Sequence, residues 1–248
     1  IIPAIIIELI AEAIVKTYAW LPIYYTFLKA FVVAAFVEEG LKLFIVKKFA
    51  YNDVHFDEVM DGIVYAVVAS LGFACFENVL YVVGSGWMVA LLRAFTAVPL
   101  HAIAAGIMGY YIGKAKFAES QSEEKSLITK GFIYAVIFHG IYDFIIFNIP
   151  QFGDLSGLLV IPLLIWGFVF LRKKIKSAVS EDIEMGRTVE TDYNDVVVPK
   201  FASGNSIDYN SMSREELRRI IQNDREGFRK EKKEEENRSE EDTGASSE

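Results

Sequence analysis

One cysteine in 248 residues, Cys75, excludes an intrachain disulfide and leaves the redox compartment open. There is no concentrated basic face to bind nucleic acid, and no nucleic-acid partner is expected. Several signatures of hydrolysis inside a membrane are also missing. There is no His-Glu-x-x-His, so a zincin-type metal helix is absent. Tyr142-Asp143 is not followed by Gly-x-Gly-Asp, because Phe152-Gly153-Asp154 lacks the first glycine, and this disfavours an aspartyl dyad. Ser85 has no Gly two residues before it, which speaks against a rhomboid-like serine. Neither an initiator Met nor a signal peptide is seen, and residue 1 falls inside an apolar run. The expectation is a chain that begins within a longer protein, with earlier spans missing.

Long apolar runs are what the chain has in plenty. Residues 1–174 carry 13 Lys and Arg against 14 Asp and Glu, whereas residues 175–248 carry 12 against 19, so nearly all of the net charge of −8 sits in the tail. The expected organisation is an all-α, polytopic transmembrane helical bundle over 1–174 and a largely disordered, acidic polar tail over 175–248. About six helices are expected: residues 1–15, 22–48, 59–83, 87–114, 127–148 and 155–171. Trp20-Leu21-Pro22 breaks the chain after the first, and Pro99 should kink the fourth just before His101. Gly109-x-x-x-Gly113 reads as a close-packing pattern. In the tail, Ser213-Arg214-Glu215-Glu216 is a capping-box pattern before a narrow apolar stripe.

Basic residues fall on alternate connections: Lys47 and Lys48, then Lys114 to Lys130, then Arg172 to Lys176. The positive-inside rule therefore predicts a multi-pass protein of the cell membrane with these loops and the tail in the cytoplasm.

Four of the helices bring ionisable groups to membrane depth: Glu38, Glu39 and Lys42; Glu77; His101; His139 and Asp143. Each charge costs about 2.5–3.5 kcal/mol at a helix centre, so the groups must find partners on other helices. His139 and Asp143 share a face, as do Glu77 and Tyr81, and Glu38 and Lys42. Taken singly, Lys42 reads as a structural partner of Glu38 or a snorkelling lysine, and Cys75 as a buried hydrophobe. His55 lies in a loop and has no assigned role. Glu8 and Glu12 share a face of the first helix, read as turned to water or to a neighbouring span.

The motifs Glu38-Glu39-x-x-Lys42, Phe76-Glu77-x-x-x-Tyr81, His101 with Gly109, and His139-x-x-x-Asp143 stand in an order that resembles the PrsW family of intramembrane proteases. Phe56-Asp57-Glu58-Val59-Met60-Asp61-Gly62 and Arg93-Ala94-Phe95-Thr96-Ala97-Val98-Pro99 also look like that family. The resemblance covers about residues 1–148 and is in turn similar to the type II CAAX prenyl endopeptidases. Carried over, it implies Glu38 and Glu39 as an acidic pair, His101 as its partner and His139 with Asp143 as a second cluster, with Glu77 alongside and Lys42 and Tyr81 in support. The CAAX enzymes have Arg where Lys42 stands and Asn where Asp143 stands.

The expected function is an intramembrane endopeptidase that cuts a membrane-tethered protein, with an anti-sigma factor as the kind of target the family implies. Its rivals are a proton- or cation-coupled transporter and a non-catalytic membrane scaffold. A glutamate-activated water without a metal is the favoured mechanism. In it, Asp143 holds the tautomer of His139 while His139 donates to the oxyanion. The alternative is zinc, with His101 and His139 as ligands and Asp143 orienting His139. The expected partners are a membrane protein substrate and the lipid bilayer.

Overall fold

The computed structural model describes residues 2–18 and 21–187, all in helices and their connections. Trp20 and the expectations for residues 188–248, including the capping box at Ser213, lie outside the described residues; of the expected break, Leu21 is extended and Pro22 opens the next helix.

Helix α1 (Ile2–Tyr18) leads into a continuous helical stretch, residues 22–50, whose hydrogen-bonding pattern changes along its length. It runs as α2 (Pro22–Leu28), a π segment (Lys29–Ala35), α3 (Phe36–Ile45) and a second π segment (Val46–Ala50). Wide π turns therefore flank the ten residues that carry Glu38, Glu39 and Lys42 on both sides. Such turns recur at functional sites because they re-aim side chains without ending the helix.

Next come α4 (Val59–Ser85), α5 (Trp87–Phe95), α6 (Ala97–Lys116), α7 (Gln121–Phe152) and, after a 3-10 turn (Asp154–Leu159), α8 (Val160–Glu184). Among the described residues, four stretches are long and apolar enough to cross a membrane: Val59–Ser85, Trp87–Lys116, Gln121–Phe152 and Asp154–Glu184. The first two of the six expected spans do not meet that measure. Helix α1 has only 17 residues, about 25 Å at 1.5 Å per residue, and residues 22–50 are interrupted by charge. The protein is a multi-pass membrane bundle.

Helix α6 is its centre, buried along most of its length and packed against α4, α7 and α8. The Gly109/Gly113 pattern meets Gly62 and Val59 of α4, where an added Cβ at Gly109 would run into the Gly62 carbonyl. Backbone contact this close is what small residues provide inside a membrane. Outward faces of the long helices expose Val68, Val83, Ile137, Ile165 and Phe168, an apolar surface suited to lipid.

The basic connections gather at one end of the bundle. Lys47 Nζ and Tyr51 Oη both donate to Glu124 Oε1, at 3.0 and 2.9 Å, and Lys116 donates to the Tyr51 carbonyl. Burial and the Glu124 carboxylate push the Tyr51 phenol up from its ordinary pKa. Lys114 pairs with Glu181 at 3.1 Å. Asp182 is fully buried and caps α4 from α8, accepting from the backbone N–H of Val59 and Met60 at 2.8 and 3.0 Å. The sixth helix was expected to end at Leu171. It continues to Glu184 because its polar last turns anchor the start of α4, a tertiary reason with no signature in local periodicity.

The fourth expected helix breaks earlier than its proline suggests. The discontinuity is at Thr96, whose φ of −122° and ψ of −65° separate α5 from α6, and Pro99 sits in the first turn of α6. That turn needs no intrahelical N–H donor, so a proline is tolerated there. The fifth helix begins at Gln121 rather than Leu127, since Ser120 Oγ caps it by accepting from Glu123 N–H at 3.2 Å. It runs through Pro150 to Phe152.

Candidate functional site

The chemistry-bearing residues of four helices converge. Helix α3 supplies Glu38, Glu39 and Lys42, α4 supplies Glu77, α6 supplies His101 and α7 supplies His139 and Asp143. Two packing contacts set this up. Ser70 Oγ of α4 donates to the His101 carbonyl at 3.0 Å, locking α4 to the start of α6. The π segment crosses α7 at Gly140, where a side chain would collide with Phe31, and so brings α3 beside His139.

Lys42 does not snorkel. It is buried, and its main partner is Glu39 rather than Glu38: Nζ donates to Glu39 Oε1 at 2.6 Å and reaches Glu38 Oε2 only at 3.5 Å. The third group at that ammonium is His101 Nδ1, 2.8 Å away, and the Phe73 ring lies beneath it at 4.8 Å. With three donors and three acceptors, the ammonium is satisfied without water.

His139 is oriented differently from the sequence expectation. Its Nδ1 lies 2.8 Å from Glu39 Oε1, so Glu39 fixes the tautomer. Asp143 stands on the opposite side of the ring, with Oδ2 3.4 Å from Nε2, and Glu38 Oε2 is 4.0 Å from the same nitrogen. The i,i+4 spacing put Asp143 on the right face of α7, but only the position of α3 decides which ring nitrogen it meets. The two imidazole rings meet edge to face, with centroids 4.9 Å apart.

Glu77 Oε2 lies 3.1 Å from His101 Nε2 and forms an ion pair with Arg93, whose Nη2 is 2.8 Å away. The Arg93 guanidinium covers the Tyr81 ring at 3.8 Å, so Glu77 and Tyr81 are joined through it. Arg93 entered the sequence reading only as part of a stretch. Its signal was simply an arginine within an apolar run, a residue that demands a partner at that depth.

These groups wall a cavity of about 410 Å³. Glu38, Glu77, His101, His139, Asp143 and Arg93 line it, while Glu39 and Lys42 stand behind them. Glu8 and Glu12 line it as well, with Lys29. The acidic face of α1 is therefore turned inward, and Glu12 Oε1 is held by Tyr25 at 2.7 Å and Lys29 at 3.2 Å.

One ligand atom from each of Glu38, His101 and His139 falls within 4.8 Å of the others, all three residues buried. One carboxylate and two imidazoles suit a zinc-type ion with a fourth position open to water. His139 fits such a site directly: Glu39 takes Nδ1 and leaves Nε2 toward the cavity, the arrangement that steadies a metal-bound histidine. His101 fits after rearrangement, because both its nitrogens are engaged, by Lys42 and by Glu77. Formal charge points the same way. Counting the lining groups with Glu39 and Lys42 behind them, Glu8, Glu12, Glu38, Glu39, Glu77 and Asp143 stand against Lys29, Lys42 and Arg93, a net −3 with neutral histidines, and Glu39 Oε2 is buried without a partner among the described residues. A buried excess of that sign favours a divalent cation or protons.

Comparison with known proteins identifies the family. A family model described as PrsW family intramembrane metalloprotease matches residues 1–171. Protease PrsW of Bacillus subtilis (strain 168) is 44% identical over 121 residues, 49% of this chain and 55% of that protein. Protease PrsW of Geobacillus kaustophilus (strain HTA426) is 40% identical over 135 residues, 54% of this chain and 59% of that protein. The match thus spans somewhat more than half the length of these curated relatives. No solved structure matches. With a buried acid–histidine cluster among apolar helices and a family match that takes in every residue of that cluster, the chain belongs to the PrsW family of intramembrane metalloproteases.

Proposed function

We propose that this chain is an intramembrane endopeptidase that hydrolyses a peptide bond of a membrane-tethered protein, with a metal site formed by Glu38, His101 and His139. The observation that carries the reading is the convergence of those three donors, from three helices, on the wall of one cavity. A zinc-type ion bound there would supply Lewis acidity and a water of lowered pKa. The preference for a metal-free route, read from the sequence, gives way for two reasons. The family description is of a metalloprotease, and the acidic pair is divided between two roles, Glu38 at the cavity and Glu39 behind it.

The chain's own residues then have distinct tasks. Glu39 holds His139 by Nδ1 and is itself held by Lys42. Asp143, beside the cavity-facing Nε2 of His139, takes the proton of the attacking water and delivers it to the leaving amine. Glu77 positions His101. The surrounding apolar helices limit bulk water, so substrate enters from the lipid side as an unwound segment of a span. The basic end of the bundle faces the cytoplasm of the cell membrane, with the tail on the same side.

The test is a comparison of membrane proteomes from cells expressing the full chain or its Glu38→Gln variant. New protein termini within or beside a membrane span should depend on Glu38. Identical termini in both cultures would refute the assignment.

A further inference from the structure

Hydrolysis needs a donor for the carbonyl oxygen as well as a source of water. Most donors that line the cavity are already committed. Tyr142 Oη donates to Thr96 Oγ1 at 3.0 Å, His139 Nδ1 faces Glu39, and Lys29 is paired with Glu12. Arg93 is different. Its guanidinium offers five N–H groups, and among the described residues its one polar partner is Glu77, through Nη2. Its Nε is buried without any partner, and its side chain is 15% exposed, so the fork is largely desolvated.

The fork is also held still. The Tyr81 ring supports it from one side and Glu77 fixes one edge, while the break at Thr96 ends α5 just after it. Through the shared Glu77 Oε2, it stands one carboxylate away from His101. A desolvated, pre-aligned cation beside the reacting centre is what electrostatic stabilisation of a developing charge requires.

We propose that Arg93 is a catalytic residue that receives the carbonyl oxygen of the scissile peptide. This rests on the hydrolytic reading above. As the water oxygen adds to the carbonyl carbon, the π pair moves onto the carbonyl oxygen, and Arg93 donates to that oxyanion. The pair returns as the C–N bond breaks, and the amine leaves with the proton that Asp143 took from the water. The products are a carboxylic acid, which keeps the second water proton, and an amine; transfer of that proton gives a carboxylate and an ammonium.

The test uses the full chain and a Leu/Ala-rich single-span peptide in two forms, the ordinary amide and an analogue with a tetrahedral phosphinic group in place of one peptide bond. A transition-state donor discriminates between them. Arg93→Gln should weaken binding of the phosphinic form on the order of 10²-fold while changing amide affinity less than about 3-fold. Arg93→Lys keeps the charge and the Glu77 pair but not the fork, and should recover only part of the loss. A double-variant cycle with Glu77→Gln separates the roles: an anchor for Glu77 would make the Arg93→Gln loss vanish in the Glu77→Gln background, whereas the proposal predicts that it persists. Equal losses for both peptides, full recovery with lysine, or a vanishing loss in the cycle would each overturn it. Cleavage of the amide by Arg93→Gln at the wild-type rate would do the same. Failure of the wild-type protein to bind either peptide would count against the hydrolytic reading, and this proposal would fall with it.

Discussion

Replacing Lys42 by Met should unsettle the fold before it bears on any chemistry. The side chain is 1% exposed and its ammonium joins Glu39, Glu38 and His101 at 2.6, 3.5 and 2.8 Å. Methionine fills a similar volume but leaves Glu39, itself fully buried, without its cation and with one oxygen already lacking a partner. Removing one partner of a buried ion pair costs about 3–5 kcal/mol. At about 2–4 °C per kcal/mol for a chain of this size, the thermal midpoint should drop by roughly 6–20 °C. Replacing the pair together is far milder, so Glu39→Gln with Lys42→Met should recover at least about half of the drop. Thermal unfolding in detergent micelles, followed by size exclusion, measures both. A Lys42→Met protein that melts within about 2 °C of the wild type, or a double variant less stable than the single, would refute the account of Lys42 as the cation that the buried acids require.

Other expectations follow from the packing and the ends of the bundle. Gly109→Ala should destabilise by about 1–3 kcal/mol, because its Cβ meets the Gly62 backbone, whereas Gly72→Ala, with open space around it, should be neutral; melting of the two variants decides. Asp182→Ala removes the acceptor for the first two N–H groups of α4 and should cost about 1–2 kcal/mol, readable as faster amide exchange at Val59 and Met60. Truncation after Arg187 should leave cleavage intact, but truncation after Lys176 removes Glu181 and Asp182 and should lower the melting point; equal stability of the two would contradict the anchoring role of α8. In a Cys75→Ala background, a cysteine at Ser122 should react with an impermeant thiol reagent only once the inner face is opened, and one at Ser85 from outside.

The membrane bundle was legible because apolar length and basic loops are properties of composition, and so was the set of residues that meet. Intramembrane Glu38, Glu39, Glu77, His101, His139 and Asp143 had to find one another, since no single helix offers a partner for each. What the sequence withheld was which atom faces which. Whether Glu38 or Glu39 reaches the cavity depends on the rotation of α3 between its two π segments, and that widening leaves no mark in residue type. The same rotation decides that Glu39, not Asp143, holds His139 Nδ1. Glu8 and Glu12 looked like an outward stripe because periodicity reports a face but not its direction. Asp182 lies past the last apolar run, where a polar residue reads as solvent-facing until α4 is placed against it.

The central claim is that Glu38, His101 and His139 hold a catalytic metal, and metal content tied to cleavage tests it most directly. Purified full chain should carry about one equivalent of zinc, as a three-ligand site with an open position does, and Glu38→Gln and His139→Ala should each carry far less. Exhaustive chelation should abolish cleavage of a membrane-tethered substrate, and added zinc should restore it. Undiminished cleavage by metal-free protein would contradict the claim and return Glu38 to the role of a general base.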